Sequence, residues 1–199
     1  MLVDPRRPGH GLSYYPGEAN LRMADIVLVH KMYGTTKEHI QQVEENTKSI
    51  NKKAKIIEVR SLVIVKEPEA IKGKRALVIG DGPTLTHGGM AYGIGTAAAI
   101  EYKAKTMVDP RKYAVGSIKE VYKKFPHLER VIPAMGYSKQ QLKDLEASIN
   151  RTPSDIVIDG TPSDLQRLIK IKKKVIYASY DIENKDLQPV YNRINQIVR

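Results

Sequence analysis

Residues 75–95 read RALVIGDGPTLTHGGMAYGIG. RALVIG (75–80) is a short apolar strand, and the segment closing on Gly93-x-Gly95 starts a helix of small residues. Between them the chain packs Asp81, Thr84, Thr86 and His87 between Gly82 and the pair Gly88–Gly89. That is an acid, hydroxyls and an imidazole on backbone that can come close to a ligand. A strand-to-helix connection needs about two to six residues. This one is longer, and it reads as a ligand site.

The same grammar repeats outward. ADIVLVHK (24–31) leads to a helix from Thr36 to Ile50, KIIEVRSLVIV (55–65) is extended, and KTMVD (105–109) precedes the helix 117–125. RVIPAMG (130–136) precedes a helix whose Ser138 and Gln141 fit a capping box. DIVIDGT (155–161) precedes SDLQRLI, and KKVIYASYDI (173–182) precedes a last helix from Asp186 to Val198. Strands alternating with helices predict right-handed crossovers. The expected class is α/β: a three-layer, Rossmann-like, largely parallel sheet with helices on both faces. Pro68 and Gly73 bracket the expected boundary, giving a partial portion over 1–68 and a carboxyl-terminal domain over 69–199.

In an open parallel sheet, ligands bind beyond the carboxyl ends of the strands. Four loops are expected there. They carry DGPTLTHGG; then Asp109, Arg111, Tyr113 and Ser117; then Gly136 and Tyr137; then Gly160, Thr161 and Asp164. Backbone donors at Gly88–Gly89, Gly116–Ser117 and Thr161 would open helices and favour an anion. Arg111 offers a fork for phosphate. Thr84, Thr86 and Ser117 are candidate phosphate donors or magnesium ligands, while Asp81, Asp109 and Asp164 could hold magnesium or act as a base. For His87 a base, a phosphate donor and a core imidazole stand equal. Asp164 also reads as a plain helix start, and Gly93-x-Gly95 as a device for helix-on-sheet packing.

Composition bounds the rest. With 199 residues and no cysteine, disulfides, thiolate catalysis and cysteine-ligated zinc are excluded. No apolar run is long enough to span a membrane. MLVDPRRPGHG lacks a secretory signal pattern, and the expected location is cytoplasmic. The net charge of +11 is uneven: +1 over residues 1–36, +4 over 37–75, +1 over 76–164 and +5 over 165–199. Lys48, Lys52, Lys53 and Lys55 form one basic stretch, and Lys170, Lys172, Lys173 and Lys174 the other. A lysine-rich solvated surface of thermophile type accounts for both. RNA binding is the competing reading, but one Phe and no Trp give it little stacking support.

The motifs DGPTLTHGGMAYGIG, VDPRKYAVGSI, PAMGYSKQQLKDLEASIN and VIDGTPSDL closely resemble archaeal and bacterial cyclic 2,3-diphosphoglycerate synthetases, also called predicted GTPases. DPRRPGHGLSYYPGEANLRMADIVLVHK resembles the middle region of the same family, so the likeness covers nearly the whole chain. It implies ATP-dependent, magnesium-assisted closure of an intramolecular phosphoanhydride. Asp81, His87 and Asp109 would be the catalytic residues, with Asp81 and Asp109 on magnesium.

The chain departs from the family in three places. No G-x-x-x-x-G-K-[ST] phosphate loop occurs in these residues, and LVDPRRPG resembles the end of a strand begun before Met1. His30-Lys31-Met32-Tyr33 stands where the family has a guanine-reading segment, and Gly80 where it tends to have Glu.

The expectation is therefore a synthetase-like protein with a phosphorylated-ligand pocket, paired as a homodimer or with a separately encoded phosphate-loop subunit. ATP would be used only when that subunit supplies the loop. The alternatives are a non-catalytic metabolite or nucleotide sensor and a basic RNA- or ribosome-associated protein. Tyr14, Tyr15 and His10 are read as facing either the ligand or a subunit interface.

Overall fold

The computed structural model describes residues 1–13, 16–30, 35–136 and 138–197. The elements run β1 (Leu2–Val3), α1 (His10–Ser13), α2 (Gly17–Met23), β2 (Ile26–Val29), α3 (Lys37–Ile50), β3 (Lys55–Glu58), β4 (Ser61–Val65) and β5 (Arg75–Asp81). They continue α4 (Gly82–Thr86), α5 (Ile94–Glu101), β6 (Thr106–Met107), α6 (Gly116–Lys124), β7 (Val131–Ala134), α7 (Lys139–Arg151), β8 (Ile156–Gly160), α8 (Leu165–Leu168), β9 (Lys174–Ile182) and α9 (Gln188–Ile197). The fold is α/β, with helix-flanked sheets. Two compact units form: residues 1–62 with 181–199, and residues 63–180.

The first unit holds a three-stranded sheet, β1-β2-β3, all parallel. Its core is Val3, Leu21, Val27, Val29 and Val43, with Ile50 and Ile56 packed against it. Helix α3 starts where the pattern predicts, because the Thr36 side chain accepts from the His39 N–H. At its other end Asn51 donates its side-chain amide to the carbonyls of Leu21 and Ala24, 2.9 Å each. That bond set ties α2 to α3. The single extended run expected over 55–65 is two strands in two different sheets. The chain turns at Arg60, whose N–H is accepted by Asp186 and whose guanidinium pairs with Glu183 at 2.6 Å.

The second unit holds the sheet β4-β9-β8-β5-β6, with β7 also on β5. The pairings of β5 with β6, β7 and β8, and of β8 with β9, are parallel. RALVIG is central, and Ala76, Leu77, Val78 and Ile79 are fully buried. Apolar runs without alternation are what a strand covered on both faces requires. Helix α5 rides close to this centre. A Cβ on Gly95 would lie 2.8 Å from Val78 Cγ1, and one on Gly160 would lie 2.7 Å from the Gly95 nitrogen. Helix α7 carries the expected capping box between Ser138 and Gln141. On α6, the buried Tyr122 donates its hydroxyl to the Val131 carbonyl at 2.7 Å, and burial pushes its phenol far above the usual range.

The glycine-rich turn after β5 is partly helical. Pro83 at the helix start and Asp81 at the N-cap nucleate α4, and Leu85 beneath it is fully buried. Among the described residues, no helix is long and apolar enough to cross a membrane. The end of the last helix at Val198 lies outside the described residues.

Candidate functional site

Parallel pairing carries the loops after β5, β7 and β8 off the same edge of the sheet. The loops after β5 and β7 touch: a Cβ on Gly82 would overlap the Ala134 carbonyl. Asp81 caps α4, its Oδ2 accepting from the Thr84 N–H at 3.1 Å and the Thr84 hydroxyl at 2.6 Å. Thr86 donates to the Gly82 carbonyl, and its hydroxyl lies 3.0 Å from His87 Nδ1. Gly89 has a φ of +63°. That left-handed conformation suits glycine and lets the chain turn toward α5. Asp81, Thr84, Thr86, His87, Gly88 and Gly89 are therefore one local constellation.

The loop after β6 goes elsewhere. Met107 pairs with Ala76, whereas Ala134 pairs with Asp81. The strand thus ends five residues before the edge, about 16 Å along the strand. Asp109 and Arg111 form a forked pair at 2.6 to 3.0 Å. The charges of Glu129 and Arg130, which precede β7, bear on this pair. The Arg111 hydrogen bonds hold the Asp109 carboxyl below its ordinary value. Tyr113 closes a single turn on the Pro110 carbonyl. So Asp81 and Asp109 are not brought together. Among the described residues, no three His, Cys, Asp or Glu side chains gather as a metal-ligand set.

The expected anion positions at Gly116–Ser117 and Thr161 are occupied by the chain's own carboxylates. Asp144, 9% exposed, accepts from the Ser117 N–H and hydroxyl at 2.8 Å each and from Gln140 at 2.9 Å. These bonds hold the Asp144 carboxyl low. Thr161 gives its N–H and hydroxyl to Asp159 Oδ1 at 3.0 and 2.8 Å. Gly136 packs on Leu142, and Gly160 packs on Ile94 and Gly95. Asp164 sits at the N-cap position of α8 and pairs with Arg167 at 2.9 Å. Tyr137, Tyr14, Tyr15 and Lys31–Tyr33 lie outside the described residues. In the basic stretch at 170–174, Lys173 donates to the Ile149 and Asn150 carbonyls at the end of α7, and Lys174 pairs with Glu67.

Sequence reasoning missed Asp159. It is 3% exposed, ends the apolar run of β8, and faces Tyr177 in register across β9. A cavity of about 390 Å³ lies there, lined among others by Lys66, Glu67, Asp159, Asp164, Gln166 and Tyr177. An acid closing the apolar run Ile156-Val157-Ile158 was the available signal. Burial, and then the nearby Asp164 charge, outweigh the Thr161 bonds and raise the Asp159 carboxyl above its ordinary value. The raised group stabilises the fold fully below the unfolded carboxylate range, and that contribution is lost as pH rises through the folded value. Asp159→Asn, which keeps the acceptor for Thr161, is expected to raise the melting temperature at neutral pH. The gain should shrink to nothing near about pH 4, as a pH series of thermal melts would record.

No family model matches the chain. Among curated proteins it is similar to arginine synthetase ArcE of Thermococcus kodakarensis, with 50% identity over 183 residues. Those residues are 92% of this chain and 41% of the relative. The chain spans about two fifths of that relative's length. The relative bears the name of a different synthetase from the one whose motifs the sequence resembles.

Proposed function

We propose that the chain is the substrate- and phosphate-binding portion of an ATP-dependent, ligase-like enzyme. The observation that carries this reading is half-identity, over nearly the whole chain, to a protein named as a synthetase. In such a reaction a nucleoside triphosphate is cleaved to drive formation of a new bond, between two substrates or within one. Arginine formation is the reaction the match favours, and closure of a cyclic phosphoanhydride is the reading the motifs favour. Both ask for an anion site next to a Rossmann-like edge.

The open backbone for that anion is Gly89 and the N-terminus of α5, where Gly93 provides no side-chain cap. His87 and Asp81 precede it in sequence. Asp81 uses one carboxylate oxygen on Thr84 and has the other for a magnesium ion that arrives with the nucleotide phosphates. The missing phosphate loop would come from a longer chain or a separate subunit.

Calorimetric titration of magnesium–ATP, inorganic phosphate and 2,3-diphosphoglycerate into the protein tests this. Micromolar binding, weakened about tenfold or more by Asp81→Asn and unchanged by Arg111→Ala, is the expected result. Silence with all three compounds, or a loss in Arg111→Ala alone, would overturn it.

A further inference from the structure

We infer that the cavity beside β8 and β9 is a binding site for a cationic amino acid, with Asp159 taking the guanidinium or ammonium group. This deepens the synthetase reading, and it rests on that reading only for the choice of arginine as the first probe. Asp159 is almost wholly buried, yet it lines the cavity. Both of its hydrogen bonds fall on Oδ1. No described group donates to Oδ2, and that oxygen is left for the cavity. The rest of the side chain is buried, so the one carboxylate oxygen open to the cavity is poorly hydrated and favours a ligand of opposite charge.

The neighbouring acids do not compete for the same ligand. Glu67 is paired with Lys174 and Asp164 with Arg167. That accounting, and the absence of a three-ligand metal group among the described residues, points away from a divalent ion. What the cavity offers is one free carboxylate oxygen, the half-exposed ring of Tyr177 (46%), and the amide of Gln166. An aromatic face beside a carboxylate suits a flat or compact organic cation. Lys66 at the exposed rim supplies a positive charge for a carboxylate at the other end of the ligand. A volume of about 390 Å³ is at the small-molecule end of known binding sites.

The test titrates L-arginine, L-lysine and uncharged L-norvaline into the wild-type protein, Asp159→Asn and Tyr177→Leu, with magnesium chloride as a separate arm. Asp159→Asn keeps the Thr161 bonds, so a folded protein is available for the comparison. The expected result is saturable binding of arginine or lysine but not norvaline. It should weaken at least about tenfold in Asp159→Asn and severalfold in Tyr177→Leu. Cations that bind no better than norvaline, or equally well to Asp159→Asn, overturn the assignment. So does an Asp159-dependent magnesium signal without amino-acid binding. Because the phosphate titrations above are read separately, amino-acid binding with no nucleotide binding would sink the synthetase reading and leave this site standing.

Discussion

Gly160→Ala is expected to lower stability by about 3 kcal/mol, the upper part of the usual range for overpacking. The new methyl carbon would stand 2.7 Å from the Gly95 nitrogen and 2.8 Å from Ile94 Cγ2. The first of these is backbone, so no side-chain rotation relieves it. Helix α5 must lift from β8, and it cannot do so without also losing its seat on β5, where a Gly95 Cβ would already meet Val78. For a unit of this size the melting temperature should fall by about 10 °C. Gly93→Ala is the matched control, since a Cβ there meets nothing within 4 Å. Equal melting temperatures for Gly160→Ala and wild type would refute the packing argument.

Asp144→Ala should cost about as much for a different reason. Its carboxylate receives two donors from Ser117 at the start of α6 and a third from Gln140 on its own helix. Hydrogen bonds to a charged acceptor contribute roughly 1.5–3 kcal/mol each when few, and they do not add fully; about 3 kcal/mol is the expected net loss. A second signature separates it from cavity formation. The folded carboxyl is held low, so its stabilisation is present above the unfolded carboxylate range and lost as pH falls through the folded value. The gap between wild type and Asp144→Ala, measured by urea unfolding, should be full at neutral pH and narrow below about pH 4. A gap independent of pH would mean that shape rather than charge holds α6.

How much of this was legible depends on range. The central strand, the capped start of α3 and the Ser138–Gln141 box are local patterns, and each appears where the spacing puts it. The break at Arg60 was not legible, because β-favouring residues continue through it and the partners that turn the chain, Glu183 and Asp186, are far away in sequence. The candidate site divides the same way. Asp81 through Gly89 is one segment and holds together as one constellation. Asp109 and Arg111 looked like ligands for metal and phosphate, but at a spacing of two residues a carboxylate and a guanidinium satisfy each other first. Ser117 looked like an anion donor, and it is one. The anion is Asp144, supplied by another helix, and nothing near Ser117 in the chain announces it.

Tyr122 leaves the protein with a built-in optical reporter. The chain has no tryptophan, so its near-ultraviolet signal is tyrosine. The Tyr122 ring, sealed under α6 with its proton committed to the Val131 carbonyl, stays un-ionised in alkali while exposed phenols turn to phenolate. Its absorbance change is therefore silent in the native state and arrives only when α6 parts from the strand beneath it. The Tyr102 hydroxyl is likewise committed to the Val63 carbonyl. An alkaline absorbance trace would separate the titration of exposed phenols from the opening of the layers that hold Tyr122 and Tyr102, with no label introduced.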